Sequence, residues 1–120
     1  MPAAYPRRIL DHYRAPRNKG PLPDATHEGK AVNPLCGDEM VLRLRVEEGR
    51  IVDARFEGVG CAVSQAAGSV LTETWRGQRT EEAVAWGLPE VLEALDAPVS
   101  PARERCALLP VEALRDAVQD

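Results

Sequence analysis

The strongest constraint on the fold is MVLRLRV, Met40 to Val46, followed after the short turn EEGR by IVDARFE, Ile51 to Glu57. Successive side chains of a strand point to opposite faces. Met40, Leu42, Leu44 and Val46 then share one face, and Arg43 and Arg45 the other. Val52, Ala54 and Phe56 form the inward set of the second stretch. Two alternating strands across a short glycine-containing turn predict an antiparallel hairpin. Ala25 to Val32 supplies a third, edge strand. A sheet with one apolar face must be covered, and the remaining sequence offers helices to cover it.

After GVGC the period changes. Ala62 to Arg76 reads as a helix with Val63, Ala66, Ala67, Val70, Leu71 and Thr74 on its apolar stripe, closed at Gly77. Near the start, Tyr5 to Arg14 places Tyr5, Ile9 and Tyr13 on one helical stripe beside Leu10, and Pro16 stops it. Thr80 can cap the short helix TEEAVAW, and Pro89 can open PEVLEAL. Pro101 and Pro110 bracket a last helical region that holds Cys106 and ends in PVEALRDAV. The expected fold class is α+β: a small antiparallel sheet of about three strands packed against helices, one N-terminal helix and a C-terminal helical half. Residues 1–120 read as a single domain.

Net charge is −4, which argues against nucleic acid as the main partner, since phosphate binding needs a basic face. The N-terminal run Arg7, Arg8, Arg14, Arg17 and Lys19 reads as a solvated face. No apolar run approaches the roughly 20 residues of a membrane span, and the opening lacks the apolar core of a signal peptide. With three cysteines, an odd number, reduced thiols in the cytoplasm are expected.

Each cysteine falls where the chain changes element. Cys36 lies in NPLCGDE before the central strand, Cys61 in GVGCAVS where a strand meets a helix, and Cys106 after PARER. A free cysteine is often just a small buried hydrophobe. Here Gly37, Gly58 and Gly60 flank two of the three, and glycine permits the turns and close approaches that a metal loop needs. Cys61 also falls at a helix N-terminus, whose partial positive charge favours a thiolate. Arg103 and Arg105 place positive charge beside Cys106, and Arg103 could also pair with Asp38. Three thiolates leave a tetrahedral site one ligand short. Asp38, across Gly37 from Cys36, can complete it, and its harder oxygen makes such a site easier to open. Trp75 and Trp86 are expected to pack, His12 to be structural or at the surface, and His27 to be solvated.

The stretches ILDHYRAPRNKG, NPLCGDEM, DARFEGVGCAVSQAAGS and PARERCALLPVEAL run nearly end to end. With them the chain resembles the U-type iron–sulfur assembly proteins: IscU, the NifU N-terminal domain and SufU. The resemblance implies that Cys36, Asp38, Cys61 and Cys106 are the ligands of a transient iron–sulfur cluster of the [2Fe-2S] type, or of zinc. It implies a cysteine desulfurase as sulfur donor and apo iron–sulfur proteins or carriers as recipients. Two readings stay open: a scaffold that builds and hands on a cluster, or a SufU-like zinc-dependent sulfurtransferase, which would be an enzyme. The sequence is mixed between these branches. Arg105 stands where IscU has a histidine, and DAPVSPAR replaces its proline-rich segment, which weighs against chaperone docking. Yet the step from Cys61 to Cys106 has no room for the insertion of SufU. The IscU resemblance favours Cys106 as persulfide acceptor, and the SufU resemblance favours Cys36.

Overall fold

A computed structural model describes residues 5–35 and 37–119. Three strands, β1 (His27–Asn33), β2 (Asp38–Glu47) and β3 (Arg50–Val59), form one antiparallel sheet in the order β1-β2-β3. Helix α1 (Arg7–Arg14) precedes them. After them come α2 (Ala62–Trp75), α3 (Thr80–Val84), α4 (Leu88–Leu95) and, beyond a 3-10 turn at Pro101–Arg103, α5 (Glu104–Val118). The fold is the α+β arrangement expected.

Met40, Leu42 and Leu44 of β2 and Ala54 and Phe56 of β3 are buried on one face. Val63, Ala66, Ala67, Val70 and Leu71 of α2 and Leu109, Val111 and Leu114 of α5 complete the core. Helix α5 crosses β1 so closely that a Cβ on Gly29 would sit 2.1 Å from the carbonyl oxygen of Ala113. The Lys30 backbone N–H on that strand donates to the Asp116 carboxylate at 2.9 Å. Trp75 and Trp86 pack edge to face, with centroids 6.0 Å apart.

Five local readings change. Val52 is exposed and Ile51 fully buried, because the ladder shifts between Arg45 and Val46. Arg45 faces Asp53 and Val46 faces Ile51, so Val52 is an extra residue that reverses the alternation. On α1 the inward residues are Ile9 and His12, while Tyr13 is exposed. On α2 Thr72 is buried in place of Thr74, and nearly the whole helix is covered. Thr80 begins α3 instead of capping it, and Pro110 lies inside α5.

The polar residues of α2 are covered by the segment after α1. Asn18 and Gly20 exchange backbone bonds with Phe56, the Phe56 N–H donating to Asn18 and the Gly20 N–H to Phe56, both at 3.0 Å. This brings His12, Arg17, Asn18 and Lys19 against α2. The arginines of the basic run are exposed, as expected. Two of them still tie elements together: Arg8 donates to the carbonyls of Leu95 and Ala94 at the end of α4, and Arg17 pairs with Glu73.

Candidate metal centre

Antiparallel pairing gathers the end of β1, the start of β2 and the end of β3 at one edge of the sheet. Asn33 stands opposite Asp38, and Glu39 opposite Val59. Gly60 and Cys61 follow directly, and the first turn of α5 brings Cys106 to the same place. One ligating atom from each of Asp38, Cys61 and Cys106 lies within 4.8 Å of the other two. Asp38 is 2% exposed, Cys106 fully buried and Cys61 half-buried.

Side chains of three different elements hold this geometry. The Cys61 N–H donates to Asp38 Oδ1 at 3.3 Å, and its thiol reaches Asp38 Oδ2 at 3.5 Å. Cys61 is the N-cap residue of α2, so the Asp38 carboxylate sits at the positive end of that helix. The Ser64 hydroxyl donates to the Cys61 carbonyl at 3.1 Å and lies 4.0 Å from its sulfur. Gly60 is needed for space rather than for an unusual backbone angle. A Cβ there would stand 2.5 Å from Ser64 Oγ and 2.8 Å from Asp38 Cγ. Gly37, by contrast, has φ +73°, the left-handed turn a glycine adopts freely.

Arg103 stands against this group. The Tyr5 hydroxyl, a hydrogen bond to the Cys106 sulfur and the nearby Cys61 thiol together hold its pKa above the ordinary value. The sequence left Arg103 open between Asp38, the negative charge of a cluster and a plain surface position; the structure sets it against Tyr5 and the two thiols. Arg105 is exposed.

The donor set suits a soft, tetrahedral cation. Bonds of roughly 2.1–2.3 Å give ligand–ligand edges of roughly 3.5–3.8 Å, which small side-chain adjustments reach from the spacing found. With both thiols deprotonated, as a bound metal requires, they and the carboxylate would repel one another, and a cation between them relieves that repulsion. Cys36 lies outside the described residues, so the convergence holds for three of the four residues singled out. His12 is buried, with Nδ1 2.7 Å from Ser69 Oγ, well away in role from any ligand. Sequence reading overlooked Asn33. It is 2% exposed, and its amide nitrogen lies 3.8 Å from the Cys106 sulfur. Its only signal is an asparagine before the proline of the cysteine turn.

Among the described residues, no helix is long and apolar enough to cross a membrane. The family model described as the NifU-like N terminal domain matches residues 4–120. The iron–sulfur cluster assembly scaffold protein IscU 1 of Archaeoglobus fulgidus is 37% identical over 116 residues, spanning 97% of this chain and 75% of the relative. The scaffold protein IscU of Escherichia coli is 36% identical over 121 residues, spanning 98% of this chain and 93% of the relative. The crystal structure of a SufU described as a cluster assembly scaffold for the SUF system, from Fervidobacterium islandicum, matches with a TM-score of 0.83. The two share 27% identity over 96% of each chain.

Proposed function

The chain belongs to the NifU-like N-terminal domain family, and on that premise we propose that it is an iron–sulfur cluster assembly scaffold. Residues 1–120 form its single domain. Cys36, Asp38, Cys61 and Cys106 hold a labile [2Fe-2S] cluster as cargo. The observation that carries this reading is the convergence of Asp38, Cys61 and Cys106 within 4.8 Å. Agreement with IscU relatives over nearly the whole chain supports it.

Sulfur arrives from a cysteine desulfurase. The Cys106 thiolate attacks the outer sulfur of the donor's persulfide. A new S–S bond forms on Cys106, the donor's own S–S bond breaks, and the donor cysteine leaves as a thiolate. Arg103, whose guanidinium stands beside the Cys106 sulfur, offsets the charge during that attack. Cys106 is fully buried in this state, so delivery requires the surrounding loops to part. Cys36 is the alternative acceptor. The recipients are apo iron–sulfur proteins or carriers, and the setting is the cytoplasm.

A second reading rests on two observations: the match to the SufU structure and the arginine, not histidine, before Cys106. In it the four residues hold zinc, and the protein relays persulfide sulfur as a sulfurtransferase. Anaerobic reconstitution with ferrous iron, cysteine and a desulfurase separates the two. A brown protein that passes its cluster to an apo-ferredoxin supports the scaffold. A protein that stays colourless, keeps one zinc and carries persulfide supports the relay. Within the scaffold reading, Asp38→Ala should slow or trap hand-off far more than it lowers the melting temperature, because the carboxylate is the weakest ligand. Hand-off at the parent rate with unchanged metal affinity would remove Asp38 from the site.

A further inference from the structure

We propose that Asn33 is the positioning residue of the thiol centre: its amide aims a hydrogen bond at the Cys106 sulfur while the rest of the residue binds the Leu35 and Gly37 N–H groups ahead of β2. The inference deepens the metal-centre reading and rests on it.

Among the described residues, Asn33 meets Asp38, Gly37, Leu35 and Cys106. Asn33 ends β1, directly opposite Asp38 in the ladder. Its backbone carbonyl accepts the Gly37 N–H at 2.8 Å. Its side-chain Oδ1 accepts the Leu35 N–H at 3.2 Å. The last contact settles which way the amide faces. Oδ1 must meet an N–H, so the other end, an NH₂ group, is the one aimed at Cys106 Sγ 3.8 Å away. The amide therefore fixes where the Cys106 sulfur sits relative to Asp38 and Cys61.

One residue thus joins parts of the site that are remote in sequence. Asn33 and Cys106 are 73 residues apart. Burial to 2% exposure keeps water from substituting for the amide. Partners of this kind around metal ligands change affinity by roughly 10–100-fold when removed.

Cobalt(II) added to the metal-free protein tests the assignment, since its absorption reports thiolate ligation and tetrahedral geometry without any cluster chemistry. Asn33→Ala removes both roles. Asn33→Asp keeps an oxygen for the Leu35 N–H but replaces the donor by a second acceptor. Both variants should bind cobalt roughly 10–100-fold more weakly, with altered sulfur-to-metal absorption. Asn33→Asp buries a carboxylate opposite Asp38, so its metal-free melting temperature should fall, and cobalt is titrated below that temperature. Parental affinity and spectrum in Asn33→Asp would overturn the donor role, even if Asn33→Ala binds poorly. A parent with no thiolate-to-cobalt band would overturn the metal centre itself, and Asn33 with it.

Discussion

Helix α2 carries two buried polar regions that behave differently. Along its flank, Gln65, Ser69 and Thr72 meet the segment after α1. Lys19 donates to Gln65 at 2.9 Å, the Arg17 N–H to Ser69 Oγ at 2.8 Å, and Asn18 to Thr72 at 3.3 Å. His12 Nδ1 stands 2.7 Å from the same Ser69 oxygen. At its N-terminus, Cys61 meets Asp38 through longer contacts of 3.3 and 3.5 Å, and its sulfur lies 4.0 Å from Ser64 Oγ. The flank joins donors, among them the Lys19 ammonium, to the neutral oxygens of Gln65, Ser69 and Thr72. The N-terminus gathers groups that are all acceptors once ionised. Buried polarity that closes on itself makes structure; buried polarity that converges on like charge asks for a ligand.

Substitutions at the two regions should therefore separate stability from binding. Cys61→Ser has the largest expected effect on binding. Serine is a favourable N-cap, so the metal-free fold should be as stable as the parent or slightly more so. Loss of a thiolate should weaken zinc by more than about 100-fold, beyond what losing a supporting hydrogen bond costs. Competition with a chromophoric chelator measures it. Zinc affinity near the parent's would break the comparison at its root.

Ser69→Ala is the mirror case. It strands the buried His12 ring nitrogen and the part-buried Arg17 N–H, an expected loss of about 1–2 kcal/mol in urea unfolding. Zinc affinity of the folded protein should not change, because Ser69 lies two turns along α2 from Cys61. A loss of zinc affinity in this variant would mean that the flank and the N-terminus form one unit.

The sequence showed one of these regions better than the other. The hairpin, the strand-to-helix change and the cysteines at element junctions were all readable from period, glycine and spacing. The extra residue Val52 was not, because Ile51 and Val52 are both apolar and β-branched, and either fits an inward position. The flank of α2 was hidden for another reason. Gln65, Ser69 and Thr72 look like a solvent face until residues 46 to 57 positions away cover them. Asn33 escaped in the same way, since its partner sulfur lies in the last helix. Cys36, Asp38, Cys61 and Cys106 were legible as a set, and the structure brings together the three it describes.

The smallest expected effect is a pH dependence confined to the flank. Burial lowers the pKa of His12 below 6.5, the cations Arg8 and Arg17 lower it further, and Glu73 and Asp11 oppose them weakly. The folded protein thus resists a proton that the unfolded chain accepts. His12 contributes its full stability above about pH 6.5, and that contribution falls as pH drops from there toward the folded pKa. One group cannot change stability by more than about 1.4 kcal/mol per pH unit. Urea unfolding of chelator-treated protein from pH 8 to 5 should bend downward below about 6.5 for the parent and stay flatter for His12→Gln. Glutamine can still meet Ser69 but takes up no proton, so the difference between the two curves isolates the histidine. Equal slopes would show that the proton enters without disturbing Ser69. The flank would then tolerate charge as the thiol end does, and the distinction between the two regions would fail at this residue.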